Sequence, residues 1–206
     1  MFTGIVQGTA EVKAVESGAD SRRLLLAFPE GATAGLVRGA SVAVSGVCLT
    51  AVAIDGRDVA FDVIDETLRR STLGTAAAGH ALNFERAARF GDEVGGHQLS
   101  GHVWGVGEVV ERQDRDDNRA LVVRVEPGVM RYVFEKGYIG IDGTSLTVGA
   151  VDREAGTFSL HLIPETLEVT TLGAAEVGAR VNVEVDAMTQ AVVDTVERVL
   201  AERADG

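Results

Sequence analysis

The chain carries one pattern twice. The stretch VSGVCLTAVAIDGRDVAFDVIDETLRRSTLG, which begins at Val44, returns as IDGTSLTVGAVDREAGTFSLHLIPETLEVTTLG from Ile141. Ser45–Thr50 recurs as Asp142–Thr147 at an offset of 97. After two extra residues the offset becomes 99 and pairs DVIDETL (62–68) with HLIPETL (161–167). The same offset pairs Thr72-Leu73-Gly74 with Thr171-Leu172-Gly173, Gly79 with Gly178, and Asn83 with Asn182. Upstream, TGIVQGTAEV (3–12) matches SGHVWGVGEV (100–109). So many matches in one order, with so small a drift, mark a duplicated domain. A chain of 206 residues can be one large domain or two small ones, each able to bury a core, and the repeat decides for two.

Each copy reads as β structure. ASVAVSGVCLTAVAI and YIGIDGTSLTVGAV place β-branched residues around a Ser-Gly or Asp-Gly pair, which predicts two hairpins. RDVAFDVI, GTFSLHLI, ALVVRV, ALNFE and RVNVEV are further strand candidates. Short helices are expected at DETLRR and PETLE, where an acidic residue suits the first turn, and at GVMRYVFEKG, closed by Gly137. Roughly six short strands per repeat, punctuated by glycine, fit a small closed barrel in each half; a sandwich produces a similar pattern. The join falls near Gly96-His97. The tail is different: Val192, Val193, Val196, Val199 and Leu200 follow helical spacing with charges between them. Such a helix either packs on its own barrel or meets copies of itself, and an apolar stripe outside a closed barrel favours self-association.

Nineteen basic against thirty-one acidic residues leave a net charge of −12, which argues against nucleic acid, since phosphate binding needs a clustered basic surface. The opening MFTGIVQGTAEV has no basic segment followed by an apolar core, so no signal peptide is expected. The longest uncharged run, GASVAVSGVCLTAVAI, is shorter than the ~20 apolar residues a spanning helix needs. A single cysteine fits a reducing compartment, and the four histidines have no metal-ligand spacing. The expectation is a cytoplasmic protein without a metal and without a membrane role.

MFTGIV at the start, VCLT at 47–50, SGHV at 100–103, GIDGTSLTV at 140–148, HLIPETL at 161–167 and TQAVVDTVERVL at 189–200 together resemble the riboflavin synthase family across the whole chain. The resemblance implies an all-β fold of two similar six-stranded Greek-key barrels in tandem, here 1–97 and 98–186, with a C-terminal helix over 187–206. It implies a homotrimer held by those helices, with the active site between the N-terminal barrel of one subunit and the C-terminal barrel of its neighbour. The implied reaction is the dismutation of two 6,7-dimethyl-8-ribityllumazine molecules, a transferase reaction without cofactor. One molecule gives a four-carbon unit to the other, yielding riboflavin and 5-amino-6-(ribitylamino)uracil. Two copies of one substrate, bound in similar but unequal pockets, suit a duplicated binding domain. Holding them face to face replaces much of what a cofactor supplies, with effective molarities up to ~10⁵–10⁸ M.

The resemblance also nominates residues. Gly4, Ile5 and Val6, with Gly101, His102 and Val103, match the first binding strand of each half; glycine there lets a flat ring approach backbone, although ordinary strand packing is the plainer reading. Cys48, Leu49 and Thr50, with Ser145, Leu146 and Thr147, match the pocket-lining segment, where a thiol or hydroxyl can bond a pteridine edge. A single cysteine on a strand is by itself more often an inert core residue. Asp62, Val63, Ile64, Asp65, Glu66 and Thr67, with His161, Leu162, Ile163, Pro164, Glu165 and Thr166, match the part that meets the heterocycle and ribityl chain. The Glu-Thr pairs alone would only start helices. Asp62 against His161 is a carboxylate replaced by an imidazole, a difference that would make the pockets chemically unlike. His102 is the first candidate for proton handling, because imidazole titrates near neutrality; Cys48 and Ser145 are the catalytic candidates beside it. Lys136, with Arg38-Gly39 as its expected repeat counterpart, is a candidate for steadying an anionic ring atom, or simply a lysine at a helix end. Ser45 and Trp104 depart from the family's usual residues, the first at a turn and the second expected outside the barrel.

Three other functions compete. A non-catalytic lumazine- or flavin-carrying relative would depart from the motif in its second copy, whereas DGTSLTV and HLIPETL are intact here. A tandem-barrel scaffold that recruits proteins does not explain shared polar residues and glycines at strand positions. A flavin reductase would need a glycine-rich βα turn for its nicotinamide, and none is present.

Overall fold

The computed structural model describes residues 1–116 and 118–204. Strands β1 (Gly8–Ser17), β2 (Ser21–Ala27), β3 (Ser41–Val44), β4 (Val47–Asp55), β5 (Asp58–Ile64) and β6 (Ala81–Arg86) close one barrel in the order β1-β2-β5-β4-β3-β6. Strands β7 (Gly105–Arg115), β8 (Asn118–Arg124), β9 (Tyr138–Ile141), β10 (Thr144–Asp152), β11 (Thr157–Leu162) and β12 (Arg180–Val185) close a second in the equivalent order, β7-β8-β11-β10-β9-β12. The barrel, not the sandwich, is the fold. The period-two pattern sets which side chains fill it: Val47, Leu49 and Ala51 of β4 are buried inside, while Cys48 and Thr50 face outward. Phe61 and Val63 of β5 enter the same core, where Phe28 meets Phe61 and Phe84 at ring-centroid distances of 6.3 and 4.8 Å.

Both hairpin expectations hold. Ser45-Gly46 (φ 42°, 81°) and Asp142-Gly143 (φ 46°, 80°) each put two successive residues in the left-handed region that a two-residue hairpin turn requires. The two tips abut: a Cβ on Gly46 would lie 2.7 Å from the Gly143 nitrogen, and one on Gly143 2.9 Å from the Gly46 nitrogen. Around this contact the repeats exchange hydrogen bonds reciprocally. Asn83 Nδ2 donates to the Asp142 carbonyl (2.9 Å) and Asn182 Nδ2 to the Ser45 carbonyl (2.7 Å). The Asn83 and Asn182 Oδ1 atoms accept the amides of Thr171 and Thr72, both at 2.7 Å. The two barrels are thus related by a local two-fold arrangement inside one chain.

Asp142 makes this junction pH-sensitive. Its carboxylate accepts the Asn182 N–H at 2.8 Å, but burial dominates and pushes its pKa from 3.8 up to about 7. The folded chain therefore holds a proton that the unfolded chain loses near pH 3.8. The stabilising difference is present below that value and is lost as pH rises through about 7. Asp142→Asn keeps an accepting oxygen and tolerates the left-handed backbone. It is expected to be more stable than the wild type at pH 8, by on the order of a few kcal/mol and hence with a higher melting temperature, and to lose this advantage at pH 4. Melting curves at the two pH values check it; a pH-independent difference would refute the assignment.

The predicted helices DETLRR and PETLE are α1 (Asp65–Arg70) and α3 (Pro164–Val169), each directly after a strand. The helix expected across GVMRYVFEKG is not there: α2 covers Pro127–Met130 only, and Lys136, not Gly137, is left-handed (φ 65°). The chain must bury Val129, Met130, Tyr132 and Val133 against the second core and then join β10, with the Lys136 amide donating to the Val148 carbonyl at 2.9 Å. In the first repeat the Gly39 amide donates to Ala51 in the same way at 2.8 Å. Lys136 therefore replaces Gly39, Arg38 aligns with Glu135, and no cation is repeated. Trp104 is part-buried, packed on the second core with its ring 5.1 Å from that of Tyr132.

The tail is α4 (Ala187–Ala204), capped by Asp186, which accepts from the Thr189 amide (2.8 Å) and hydroxyl (2.7 Å). Arg131 pairs with Asp194 and Glu197, and the Tyr132 hydroxyl donates to Asp194 at 2.7 Å. Among the described residues no helix is long and apolar enough to cross a membrane.

Candidate functional site

Cys48 and Ser145 stand on the outer faces of β4 and β10, so any site they belong to lies outside the barrels. What covers each is a short irregular segment. The expected strands at Gly4–Val6 and Gly101–Val103 are not strands: β1 and β7 begin only at Gly8 and Gly105. A buried carboxylate on the last strand of each barrel pins the segment instead. Glu85 accepts the Thr3 amide (2.6 Å), the Thr3 hydroxyl (2.8 Å) and the Gly4 amide (3.0 Å). Glu184 accepts the Ser100 amide and hydroxyl, both at 2.7 Å, and the Gly101 amide at 3.1 Å. Burial raises the Glu85 pKa, with the three donors pulling it back.

Each pinned segment then reaches the other barrel. The Gly101 carbonyl accepts the Cys48 amide at 2.9 Å, and the Gly4 carbonyl accepts the Ser145 amide at 2.8 Å. Sequence order groups Gly4-Ile5-Val6 with Cys48; the structure groups it with Ser145, and it is Gly101-His102-Val103 that meets Cys48. The reason is the abutting hairpin tips, which leave the segments along the junction with the opposite barrel as their nearest strand. Gly4 (φ 74°) and Gly101 (φ 80°) must be glycine, because a Cβ would lie 2.5 Å from the Cβ of Ser145 or Cys48 respectively.

A cavity of about 210 Å³ joins Cys48, Glu66 and Thr67 of the first barrel to Gly101, His102 and Val103. His102 is exposed and its amide donates to the Ser100 hydroxyl at 3.1 Å; its repeat counterpart is Ile5, whose amide donates to Thr3 at 3.3 Å. Glu66 pairs with Arg70 one turn along α1, which lowers its pKa. Position 169, the counterpart of Arg70, is valine, so Glu165 lacks that neighbour. Thr67 and Thr166 are half-buried at equivalent places; Ile64 and Ile163 are exposed just ahead of α1 and of Pro164 in α3. Thr50 and Thr147 are exposed on the outer faces, and Lys136 is exposed beside β10. Leu49, Val63, Leu146 and Leu162 face the barrel interiors, and Val6 is buried too. Asp62 is engaged by Arg23 through two hydrogen bonds of 2.7 and 3.0 Å, which lower its pKa; His161 stands opposite Ala120 with no such cation. Asp65 pairs with Arg69 at 2.6 Å.

Two kinds of residue escaped the sequence. Glu85 and Glu184 had a visible signal, since Asn-x-Glu recurs at 83–85 and 182–184 on the equivalent last strand of each repeat. His97 had none. It sits in the connector, 7% exposed, with Nδ1 2.6 Å from the Ser145 hydroxyl and its ring stacked 5.0 Å from that of Tyr138. The outcome is two related outer-face positions with unlike polar surroundings: a thiol beside a cavity rimmed by an exposed imidazole at Cys48, and a hydroxyl against a buried imidazole at Ser145. Among the described residues no cluster suited to a metal ion occurs.

The lumazine binding domain model matches this chain twice, over residues 3–87 and 100–186. A riboflavin synthase from Escherichia coli (strain K12) is 50% identical over 98% of this chain and 95% of its own length. A riboflavin synthase from Chlamydia pneumoniae is 45% identical over 98% of both chains. Among solved structures, LumP complexed with riboflavin superposes with a TM-score of 0.83 at 29% identity, covering 90% of this chain and all of that one. With both lumazine-binding units matched, and 45–50% identity to curated synthases over nearly the whole chain, the chain belongs to the riboflavin synthase family.

Proposed function

We propose that this chain is a riboflavin synthase, the enzyme that converts two 6,7-dimethyl-8-ribityllumazine molecules into riboflavin and 5-amino-6-(ribitylamino)uracil by moving a four-carbon unit. The observation that carries the reading is the duplicated lumazine-binding unit in one chain, with unlike residues at the equivalent outer-face positions Cys48 and Ser145. A reaction that uses one compound as both donor and acceptor needs that combination. The working units are the barrels 1–97 and 98–186 and the helix 187–206, each barrel's pocket being completed by the leading segment of the other half. The first pocket binds one lumazine against Cys48, Thr67 and the Gly101–Val103 segment. The second binds its partner against Ser145, Thr166 and the Gly4–Val6 segment, with Lys136 at its edge. The trimer, held through α4, brings the first pocket of one subunit to the second pocket of the next. Catalysis on this reading is positioning plus proton transfer.

His102 is the proton-handling group. It is exposed at the rim of the first pocket, free to meet a methyl group on a ring presented from outside. His102→Gln is expected to lower the turnover number on the order of a hundredfold while changing substrate affinity little, because the loss falls on the transition state. An unchanged turnover number would pass the proton to solvent or substrate. The decisive assay is incubation of the chain with 6,7-dimethyl-8-ribityllumazine and a chelator while riboflavin absorbance is followed. Riboflavin formation is expected. Tight binding without turnover would replace the enzyme with a lumazine or flavin carrier, as in the LumP complexes.

A further inference from the structure

The two repeats differ most sharply in what holds their pocket residues. Cys48 and Ser145 are equivalent, yet Ser145 is hydrogen-bonded to the buried imidazole of His97, while Cys48 packs against the apolar cluster of Phe2, Ala43 and Leu99. His97 arrives from the connector between the barrels, a segment the duplication does not copy. The preceding Gly96 is as constrained as Gly4: a Cβ there would lie 2.3 Å from the Thr3 carbonyl and 2.7 Å from the Ser145 Cβ. The connector is therefore seated against Ser145 over two successive residues.

A hydroxyl has one proton and two lone pairs, so its bond to His97 fixes what remains for a ligand. Among the described residues, His97 Nε2 is buried with no hydrogen-bond partner. A proton on Nε2 would be an orphaned donor, which folded proteins rarely tolerate, whereas an under-used acceptor is more often seen. Burial also lowers the pKa of this imidazole, against the nearby charge of Asp186, so the ring is held neutral. A neutral ring with a bare Nε2 carries its proton on Nδ1. Nδ1–H then donates to the Ser145 oxygen, and the serine proton is left to point at whatever occupies the second pocket.

We infer that His97 is a positioning residue that turns the Ser145 hydroxyl into an oriented hydrogen-bond donor for the ligand of the second-barrel pocket. The atom it meets is an acceptor: a ring carbonyl oxygen, or a ring nitrogen gaining negative charge when the lumazine loses a methyl proton. An oriented donor favours the anion over the neutral ring, which makes the second pocket the one that holds the deprotonated lumazine. Cys48, a weak donor set against the apolar Phe2, Ala43 and Leu99 cluster, gives the first pocket no equivalent. This inference rests on the synthase reading above.

Two substitutions separate the hydrogen bond from the packing. His97→Phe keeps a ring stacked on Tyr138 but cannot donate to Ser145. It is expected to lower kcat on the order of tenfold, with KM changed far less. His97→Asn places an amide donor near the Nδ1 position and is expected to restore most of that loss. In a Ser145→Ala background, His97→Phe is expected to cost nothing more, because the two residues act through one contact. A full loss from His97→Phe in that background, or wild-type kcat in His97→Phe alone, would overturn the proposal. Melting temperatures of each variant identify one that has merely unfolded; the Asn variant then carries the test. If the wild-type chain makes no riboflavin, the same cycle is read on riboflavin affinity by fluorescence quenching. Coupling between positions 97 and 145 there would uphold the oriented donor while the enzymatic reading falls, and additive losses would overturn the donor itself.

Discussion

Gly101→Ala is expected to abolish turnover, and Gly4→Ala to do the same from the opposite pocket. Each glycine is left-handed, its amide is held by a buried glutamate, and its carbonyl accepts the amide of Cys48 or Ser145. An added methyl cannot move aside, because the atoms 2.5–3.1 Å away are the Cβ, nitrogen and Cα of that same bonded residue. The left-handed backbone costs about 1–2 kcal/mol and the overlap about 1–3, so about 2–5 kcal/mol falls on one short segment. That exceeds what its hydrogen bonds return, and the segment lifts away while the barrels stay folded. Gly101→Ala then loses the first pocket and keeps the second; Gly4→Ala does the reverse. Titration with a lumazine or flavin would show about one site fewer per chain in each variant, with neither making riboflavin. Retained turnover in either would mean that the exchanged segments do not build the pockets.

Mixing the two dead variants gives the stronger result. If a working site joins the first pocket of one subunit to the second pocket of its neighbour, a Gly4→Ala subunit beside a Gly101→Ala subunit presents one intact pair. Random mixing of equal amounts restores about a quarter of wild-type activity. No recovery after subunits have exchanged would place both pockets of each site in one chain.

How much of this could be read beforehand depends on the range of the interactions. The hairpin turns at Ser45-Gly46 and Asp142-Gly143 and the helices after β5 and β11 follow from neighbours in sequence, and they stand where expected. The repeat itself reported the barrel count. The crossing of Gly4 to Ser145 and of Gly101 to Cys48 was not legible, because a repeat alignment pairs equivalent residues without saying which copy touches which. Lys136 was misplaced by one residue against Arg38 for a related reason: chemical likeness suggested a repeated cation, while the ladder matches Lys136 to Gly39. The pairing of Asp62 with Arg23 on the adjacent strand was not legible either, because a cross-strand ion pair needs the register of β2 on β5. His97 lies in the only stretch between the repeats, where duplication offers no guide.

Removing everything after Asp186 is expected to leave two folded barrels that scarcely turn over when dilute. α4 has no fully buried residue, and Val193 is the one apolar side chain of it packed on the second core. Its other ties to the barrel are the Arg131 ion pairs, whose side chains are 40–52% exposed, and the Tyr132 hydrogen bond, and such exposed pairs contribute about 0–1 kcal/mol each. An amphipathic helix in a protein draws most of its stability from packing its apolar face, so one held this loosely needs another surface. Val192, Val196 and Leu200 supply it: they are 56%, 50% and 59% exposed and lie four residues apart along one side. A second copy of the same stripe is the partner these features fit, and joining chains there raises the effective concentration of one pocket near the other. Such tethering is worth roughly 10²–10⁴ in apparent affinity. The truncated chain should therefore sediment as a monomer, and its turnover per chain should rise with concentration while the full chain's stays flat. Loss at nanomolar concentration and partial return at high micromolar would support α4 as the element that assembles the site. A truncated monomer with full turnover at nanomolar concentration would mean that one chain closes its own site, and the intersubunit arrangement would have to be given up.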